Sequence, residues 1–199
     1  MIRKELLIQA IKETNKWWSN DFDFSLYKER EIYKEILPFL KTRQIVALVG
    51  LRRVGKTTLL LKIIQENLKN GFEKTNILYF SFDEFKDIHI REPVSLYQEL
   101  KDKDLNKGNY IFVFDEIQKI ENWSEQLKRL YDNYPNIKFL ISGSESLFIR
   151  RKMRESLAGR MFEFQLNPLS YQDFLEIRSK PIQNIKLQKE DILKEIKQF

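Results

Sequence analysis

Short apolar runs alternate along the chain with longer segments in which apolar residues recur at helical spacing. Five apolar runs rich in Val, Ile, Leu and Phe predict strands. These predicted strands cover residues 44–49, 76–82, 110–116, 137–141 and 161–166. Strands that alternate with helices favour an α/β fold with a mainly parallel five-stranded sheet.

The segments between the predicted strands are rich in helix-forming residues and end at clear stop signals. Predicted helices cover residues 58–71, 93–100, 123–134, 147–159 and 171–178. The first ends at Asn70-Gly71, a pair suited to a left-handed C-cap, and the third ends before Pro135. We therefore expect helices to cover the sheet in a three-layer α/β/α arrangement.

The N-terminal region carries its own pattern before the first strand of the predicted sheet. Apolar residues four positions apart among Lys and Glu predict an amphipathic helix over residues 1–19, which ends at Trp17-Trp18. This helix is expected either to pack on the edge of the core or to bind a partner, because exposed Trp often anchors interfaces. Residues 21–27 predict a short strand or an extended strap, and residues 29–40 predict a helix.

Composition narrows the classes of protein. Hydrophobic residues make up 42% of the 199, enough for a sizeable core. There is no Cys and His89 is the only His, which excludes disulfides, thiolate or His-based zinc sites and a Ser-His-Asp triad. No apolar run approaches the ~18 residues of a membrane span, and the N-terminus lacks the apolar core of a signal peptide. We therefore expect a cytoplasmic chain, without membrane contact.

The net charge indicates which kinds of partner the chain could bind. Lys and Arg outnumber Asp and Glu by 35 to 29, a formal net charge of +6. A positive surface permits binding to nucleic acid or to an acidic partner, but no base-contacting motif accompanies it. Four basic residues lie close together, Arg150, Arg151, Lys152 and Arg154, although runs of this kind are usually solvated helix faces.

The junction between the first predicted strand and helix carries the strongest motif. Residues 50–57 read Gly-Leu-Arg-Arg-Val-Gly-Lys-Thr, which matches the P-loop (Walker A) pattern G-x-x-x-x-G-K-[ST]. Its glycines let a phosphate approach the main chain, and the N–H groups of the first helical turn bind the anion. The predicted nucleotide-binding residues are Gly50, Leu51, Arg52, Arg53, Val54, Gly55, Lys56, Thr57 and Thr58. A chance match in a surface turn is the alternative, and the flanking strand and helix count against it.

Two P-loop side chains have predicted chemical roles. Lys56 supplies a positive charge to the β- and γ-phosphates, where it serves catalysis as well as binding. Thr57 offers a hydroxyl, a hard oxygen ligand suited to Mg²⁺.

A second motif ends the third predicted strand, where Asp115-Glu116 follows an apolar run. In a parallel sheet this strand end lies beside the P-loop, where ligands collect. Asp115 is predicted to hold the Mg²⁺ shell, and Glu116 to polarise the attacking water as general base. Alone, the pattern is equally typical of a polar strand end followed by a helix cap. The P-loop upstream favours the functional interpretation.

The fourth predicted strand ends at Ser142-Gly143-Ser144. A hydroxyl at this strand end can lie between the other two motifs and sense the γ-phosphate, and Ser142 and Ser144 are both candidates. A Ser N-cap for the following helix is an equally good interpretation.

Taken together, these motifs resemble those of the archaeal and bacterial AAA+-like ATPases with a GxRRxGKT P-loop (the archaeal ATPase / AAA family 14 group). The more specific features are the Arg-Arg pair, Asp-Glu-Ile-Gln at residues 115–118, and Leu-Ala-Gly-Arg at residues 157–160 before a strand and Asn-Pro-Leu-Ser. The resemblance covers about residues 26–178.

The resemblance implies a sheet in the order 5-1-4-3-2, with ATP or ADP and Mg²⁺ as ligands and Glu116 as the glutamate beside the Mg²⁺-binding aspartate. It also implies a helical lid and a further C-terminal domain. We therefore expect an N-terminal helical and strap segment over residues 1–43, a P-loop ATPase core over residues 44–170, and the start of a lid over residues 171–199 that continues beyond this sequence.

One further role comes from the resemblance alone, and another from P-loop proteins in general. In AAA+ assemblies an arginine near the end of the helix after the fourth strand reaches the γ-phosphate of a neighbouring chain. Arg160 is the residue expected at that position, with Arg154 next. In many P-loop proteins the segment before the first strand covers the adenine base, which places Arg30 and its apolar neighbours there.

The sequence favours an ATPase that acts as a molecular switch or motor, as a homo-oligomer or with a partner protein. The alternative is a nucleotide-gated binding module for nucleic acid or a partner protein, in which hydrolysis is slow or vestigial. A small-molecule kinase shares the P-loop, but the Asp115-Glu116 pair and the lack of an acceptor motif count against it.

Overall fold

The computed structural model of the chain describes residues 2–19, 30–85, 87–144 and 156–169. The helices in these ranges are α1 (Ile2–Thr14), α2 (Ile32–Leu40), α3 (Lys56–Lys69), α4 (Arg91–Lys101) and α5 (Trp123–Asn133). The strands are β1 (Ile45–Gly50), β2 (Ile77–Ser81), β3 (Tyr110–Asp115), β4 (Ile137–Gly143) and β5 (Met161–Leu166). Four predicted features lie outside the described residues: the strap at 21–27, the basic residues at 150–154, most of the helix at 147–159 and the helices after residue 170.

The five strands form one parallel sheet in the order β2-β3-β4-β1-β5. This confirms the α/β fold and the order 5-1-4-3-2 that the resemblance implies. Because every strand runs in the same direction, Gly50 of β1, Asp115 of β3 and Gly143 of β4 meet at one edge of the sheet. We call this the C-terminal edge, and the opposite one the N-terminal edge.

Alternate residues of each strand face opposite helical layers. On β3, Phe112 and Phe114 are buried against α1, α4 and α5. Ile111 and Val113, between them, are buried against α2 and α3. The four strands β1 to β4 are therefore covered on both faces, which explains why they read as nearly continuous apolar runs, whereas β5 is largely exposed.

The N-terminal helix packs on the open edge of β2. After α1 the chain makes a 3-10 turn (Lys16–Trp18), in which Trp17 is buried. The indole N–H of Trp18 donates to the carbonyl of Ile77 on β2 at 2.9 Å. Both tryptophans thus support packing on the core edge, the first of the two alternatives for this helix.

Helix α3 begins at Lys56, two residues before its predicted start, because the P-loop residues Lys56 and Thr57 already form its first turn. It ends at Lys69, and Gly71 follows with a φ of 83°, as the predicted left-handed C-cap requires. In the described ranges no helix is both long and apolar enough to cross a lipid bilayer.

Candidate functional site

Two glycines shape the loop that joins β1 to α3. A Cβ on Gly50 would lie 2.3 Å from the carbonyl oxygen of Leu166, so only glycine allows β1 to end this close to β5. Gly55 has a φ of 94°, in the left-handed region that favours glycine. The loop therefore depends on both glycines, and it delivers Lys56 and Thr57 to the N-terminus of α3.

The side chain of Lys56 lies back across this loop and is 4% exposed. Its ammonium donates to the carbonyl oxygens of Gly50 at 3.1 Å and Leu51 at 2.8 Å. The carboxylate of Glu116 is 3.8 Å away. This arrangement places a buried positive charge beside the first turn of α3, where the helix dipole adds to its attraction for an anion.

Asp115 is 2% exposed and accepts hydrogen bonds from groups on four segments of the chain. Its Oδ2 accepts from the hydroxyl of Thr57 at 2.6 Å and from that of Tyr79 at 2.8 Å. Its Oδ1 accepts from the hydroxyl of Ser142 and from the backbone N–H of Glu116 at 3.2 Å. Hydrogen bonds to an ionised carboxylate are among the stronger ones, so this carboxylate is held in one position.

Glu116 follows β3 in a left-handed backbone conformation, with a φ of 53°. Non-glycine residues adopt this conformation at some cost, and it turns the side chain from β3 toward the P-loop. Oε2 of Glu116 accepts from Nε2 of Gln118 at 2.6 Å, and Oε1 lies 3.8 Å from Nζ of Lys56. The carboxylate is 16% exposed, so it is held between two partners while keeping some access to water.

The two candidate serines differ in position. Ser142 is fully buried, and its hydroxyl donates to Asp115 and accepts from the backbone N–H of Glu116 at 3.1 Å. Ser144 is half-buried and lies just beyond the end of β4. Ser142 therefore joins the cluster around Asp115, and the helix that either serine was predicted to cap lies outside the described residues.

The remaining P-loop residues lie at the surface or support the loop. Val54 is buried, whereas the others are exposed: Leu51, Arg52, Arg53 and Thr58. Arg53 has a φ of 64°, and the guanidinium of Arg52 lies 4.0 Å from the carboxylate of Asp83. The same carboxylate lies 3.4 Å from the ammonium of Lys119.

The structure does not bring Arg160 to this cluster. Its carbonyl accepts from the backbone N–H of Ile45, the first residue of β1, and its guanidinium donates to Asp132 of α5 at 3.0 Å. Arg160 thus lies at the N-terminal edge, about a strand length of ~17 Å from the P-loop of its own chain. Its role toward a neighbouring chain stays a prediction.

Tyr79 and Gln118 belong to the site, although the sequence motifs do not indicate a role for either. Tyr79 lies inside an apolar strand, where its hydroxyl gives no signal of its own. Gln118 is part of the Asp-Glu-Ile-Gln sequence, but its contact with Glu116 depends on the tight 3-10 turn (Ile117–Lys119) that follows. Only the strand register and this turn reveal what the two side chains contact.

Arg30 contacts the P-loop, and its predicted place over the adenine base stays a prediction. Its guanidinium donates to the carbonyl of Val54 at 2.6 Å and to that of Asn167 at 3.1 Å. It therefore links the segment before α2 to the P-loop and to the segment that follows β5.

The donors at the site fit Mg²⁺. Thr57 and Asp115 offer hard oxygen atoms, which this ion prefers. Among the described residues no group of three or more His, Cys, Asp or Glu side chains could hold a metal by itself. A divalent ion at Thr57 and Asp115 would therefore need further oxygens from phosphate and water, as Mg²⁺ commonly does.

A separate cavity of about 800 Å³ lies among α1, α4 and α5, on the face of the sheet opposite α3. Several of its charged side chains pair with each other, Arg3 with Glu92 at 3.4 Å and Lys4 with Glu99 at 2.8 Å. It is remote from the P-loop and offers no reactive group to the cluster around Asp115.

Searches for related proteins found similar chains that are longer than this one. An uncharacterized protein of Methanocaldococcus jannaschii is 35% identical over 173 residues, covering 84% of this chain and 33% of the relative. A second from that organism is 30% identical, covering 86% and 38%, and one of Haemophilus influenzae is 29% identical, covering 75% and 38%. This chain therefore spans little more than a third of the length of these relatives.

Solved structures share the fold at low sequence identity. A DNA replication initiation factor matches with a TM-score of 0.51 and 18% identity, covering 80% of this chain and 52% of the other. An Hsp104-ADP complex of S. cerevisiae matches with a TM-score of 0.56 and 12% identity, covering 86% and 26%. Similarity at this level shows the P-loop AAA+ fold alone.

The sequence also matches a family model. A model described as an AAA domain matches residues 42–175, which begins just before β1 and extends beyond β5. The match covers more than half of the chain, and the chain therefore belongs to the AAA-domain family.

Proposed function

We propose that this AAA domain binds ATP with Mg²⁺ at the C-terminal edge of its sheet and hydrolyses it to ADP and phosphate. Its family and its structural neighbours support a nucleotide-binding, ATPase-like domain. The observation that carries the finer proposal is one connected cluster, in which Lys56 contacts Glu116 and Thr57 contacts Asp115.

In this proposal the P-loop binds the phosphates. The N–H groups at the start of α3 and the ammonium of Lys56 lie next to the loop shaped by Gly50 and Gly55, where they would bind the phosphates. Thr57 and Asp115 would hold Mg²⁺, which when bound neutralises charge on the β- and γ-phosphates. Most of the rate acceleration in such a site comes from positioning and from charge stabilisation.

Glu116 is the residue proposed to orient the attacking water and to accept its proton. Gln118 and Lys56 fix its carboxylate from two sides, so it points from the end of β3 toward the P-loop. Ser142 supports both acidic residues, because it donates to Asp115 and accepts from the N–H of Glu116. Sensing of the γ-phosphate by Ser142 or Ser144, and by Arg160 of a neighbouring chain, stays a prediction.

In this proposal ATP turnover drives a molecular switch or motor. A binding module with slow hydrolysis is the second candidate. The observation that favours it is the exposed positive charge of Arg52 and Arg53 in the P-loop, which suits a polyanion. A DNA titration at two salt concentrations separates the two, since binding through phosphate contacts weakens steeply with salt.

The proposal is tested with two variants and two matched controls. Lys56→Ala should weaken nucleotide binding roughly 100-fold, because it removes a charged donor to the phosphates. Lys62→Ala is its control, since Lys62 is on the same helix and pairs with Glu66 at 2.7 Å, away from the loop. Isothermal titration calorimetry measures both affinities.

Glu116→Gln should bind nucleotide normally and turn over about 100- to 1,000-fold more slowly, because its amide cannot accept the proton from water. Glu66→Gln, at a half-buried glutamate of α3, is the matched control and should keep wild-type turnover. Phosphate release measures both rates. Equal turnover in Glu116→Gln and Glu66→Gln would remove Glu116 from the mechanism.

A further inference from the structure

β2 is an edge strand, and its outward-facing peptide groups bond to side chains that follow α1. The amide of Asn15 donates to the carbonyl of Tyr79 at 2.8 Å, and its Oδ1 accepts from the N–H of Tyr79 at 2.7 Å. Asn15 is 1% exposed, so both bonds are shielded from water. The Asn15 side chain therefore satisfies both backbone groups of Tyr79, as a neighbouring strand would in a sheet.

The side chain of Tyr79 extends from this fixed backbone into the cluster around Asp115. The strand register pairs Tyr79 with Val113, and both are buried on the face that packs against α3. Asp115 lies two residues further along β3, on the same face, at a rise of about 6.6 Å. The length of a phenol ring spans that step, and the hydroxyl donates to Oδ2 of Asp115 at 2.8 Å.

Oδ2 of Asp115 also accepts from Thr57, the other side chain proposed to hold Mg²⁺. Two hydroxyls therefore converge on one carboxylate oxygen, one from α3 and one from β2. The ring of Trp17 packs edge-on against that of Tyr79, with centroids 6.5 Å apart, and limits where the ring can lie. A continuous set of contacts thus runs from the N-terminal segment through Asn15 and Tyr79 to Asp115.

We infer that Tyr79 is a positioning residue for Asp115 and that Asn15 fixes Tyr79, so the N-terminal segment sets the metal affinity of the nucleotide site. This role depends on the proposed binding of nucleotide with Mg²⁺. Groups that orient a metal ligand commonly affect metal affinity by ten- to a hundredfold, although they never touch the metal.

The decisive variant is Tyr79→Phe, which removes one hydroxyl and keeps the buried ring. The probe is the non-hydrolysable ATP analogue adenylyl imidodiphosphate, titrated by calorimetry over a series of Mg²⁺ concentrations. We expect the Mg²⁺ concentration that gives half-maximal enhancement of binding to rise about tenfold. Binding of the analogue with EDTA present should change less than about twofold, since the P-loop contacts remain.

Tyr97→Phe is the matched control. The hydroxyl of Tyr97 donates to the carbonyl of Thr75 at 2.6 Å, remote from Asp115, so this variant also loses a buried tyrosine hydrogen bond. It should leave the Mg²⁺ dependence unchanged. Thermal melting of both variants separates a general loss of stability from a specific effect on the metal.

Asn15→Ser tests the second step, because it shortens the side chain that bonds to Tyr79. It should raise the half-maximal Mg²⁺ concentration, and its effect should not add to that of Tyr79→Phe, since both act through one contact. Trp18→Phe is its control, since this change removes a hydrogen bond to β2 at Ile77 and none to Tyr79.

The outcomes distinguish this inference from the proposed function. Equal Mg²⁺ dependence in Tyr79→Phe and Tyr97→Phe, with normal nucleotide binding, would overturn the proposed role of Tyr79 and leave the proposed function standing. Additive effects of Asn15→Ser and Tyr79→Phe would overturn the link through Asn15. Absence of nucleotide binding in the unaltered chain would remove the proposed function and this inference with it.

Discussion

The two edges of the sheet each hold a lysine that donates to main-chain carbonyls, and the two lysines have different surroundings. At the N-terminal edge, Lys138 of β4 donates to the carbonyls of Phe39 at 2.7 Å, Thr42 at 2.9 Å and Gln44. At the C-terminal edge, Lys56 donates to two carbonyls and also lies 3.8 Å from the carboxylate of Glu116.

The difference separates structural from chemical use of the same side chain. Lys138 satisfies carbonyls of the segment that enters β1, and burial lowers its pKa to about 8. Lys56 lies next to a glycine-shaped loop and a helix N-terminus, so its charge is directed at a place where an anion can bind. We therefore expect Lys138 to contribute to stability and Lys56 to binding.

The first prediction compares the loss of each lysine in its effect on nucleotide affinity and on the free energy of unfolding. Lys56→Ala should lose roughly 100-fold in nucleotide affinity, together with some free energy of unfolding because two carbonyls lose their donor. Lys138→Ala should lose about 1–3 kcal/mol of that free energy, because three carbonyls lose their donor, and should keep nucleotide affinity. Calorimetry measures nucleotide affinity and urea denaturation measures the free energy of unfolding of both variants. Equal losses of affinity in the two variants would contradict the different roles of Lys56 and Lys138.

The second prediction concerns the closest backbone approach at the C-terminal edge. Gly50→Ala should cost about 2–3 kcal/mol of stability and weaken nucleotide binding, because its Cβ would lie 2.3 Å from the carbonyl of Leu166. Gly71→Ala is the control: a Cβ there meets nothing within 4 Å, and the left-handed backbone costs about 1 kcal/mol. Denaturation curves measure both, and a smaller loss for Gly50→Ala than for Gly71→Ala would count against a tight β1–β5 approach.

The third prediction concerns Gln118, which holds the carboxylate of Glu116. Gln118→Ala should slow ATP turnover about tenfold, roughly 1.4 kcal/mol, while nucleotide affinity stays the same. Gln126→Ala is the control, since Gln126 bonds to main-chain groups of Glu121 and Ile90 instead. Steady-state kinetics of the two variants measure it, and a change confined to KM would argue against a positioning role.

The smallest expected effect is the pH dependence that Lys138 confers. Its pKa is about 8 in the folded chain and near 10.4 when unfolded, so between these values the unfolded chain binds more protons. Stability should therefore rise from pH ~8 to pH ~10, by about 1 kcal/mol after allowance for solvent screening. Burial raises the pKa of Tyr97, which opposes this rise above pH ~10, so the comparison stops there.

Urea denaturation at several pH values checks this prediction. Lys138→Ala should reduce the rise, and Lys56→Ala should keep it; burial also lowers the pKa of Lys101, which should leave a smaller rise. A wild-type chain whose stability falls steadily over this range would contradict the account of Lys138.

The strands and the P-loop were predictable because their signals are local. An apolar run followed by G-x-x-x-x-G-K-T specifies a buried strand, a loop and a helix within a few residues. The strand order was implied only by the family resemblance, which carries information about long-range pairing that periodicity lacks.

Contacts between distant residues account for what the sequence could not predict. Asn15 and Tyr79 are 64 residues apart, and their hydrogen bonds form because α1 packs beside the edge strand β2. The position of Arg160 depends on β5 pairing in parallel with β1, which takes it to the N-terminal edge. In each case the residue type was visible, but its partner was set by register and topology.

The most direct test of the central claim is calorimetry of the purified chain with a non-hydrolysable ATP analogue, with and without Mg²⁺. We expect saturable binding that Mg²⁺ strengthens, that Lys56→Ala weakens roughly 100-fold and that Lys138→Ala leaves intact. A folded chain that gives no binding heat with any adenine or guanine nucleotide would contradict it.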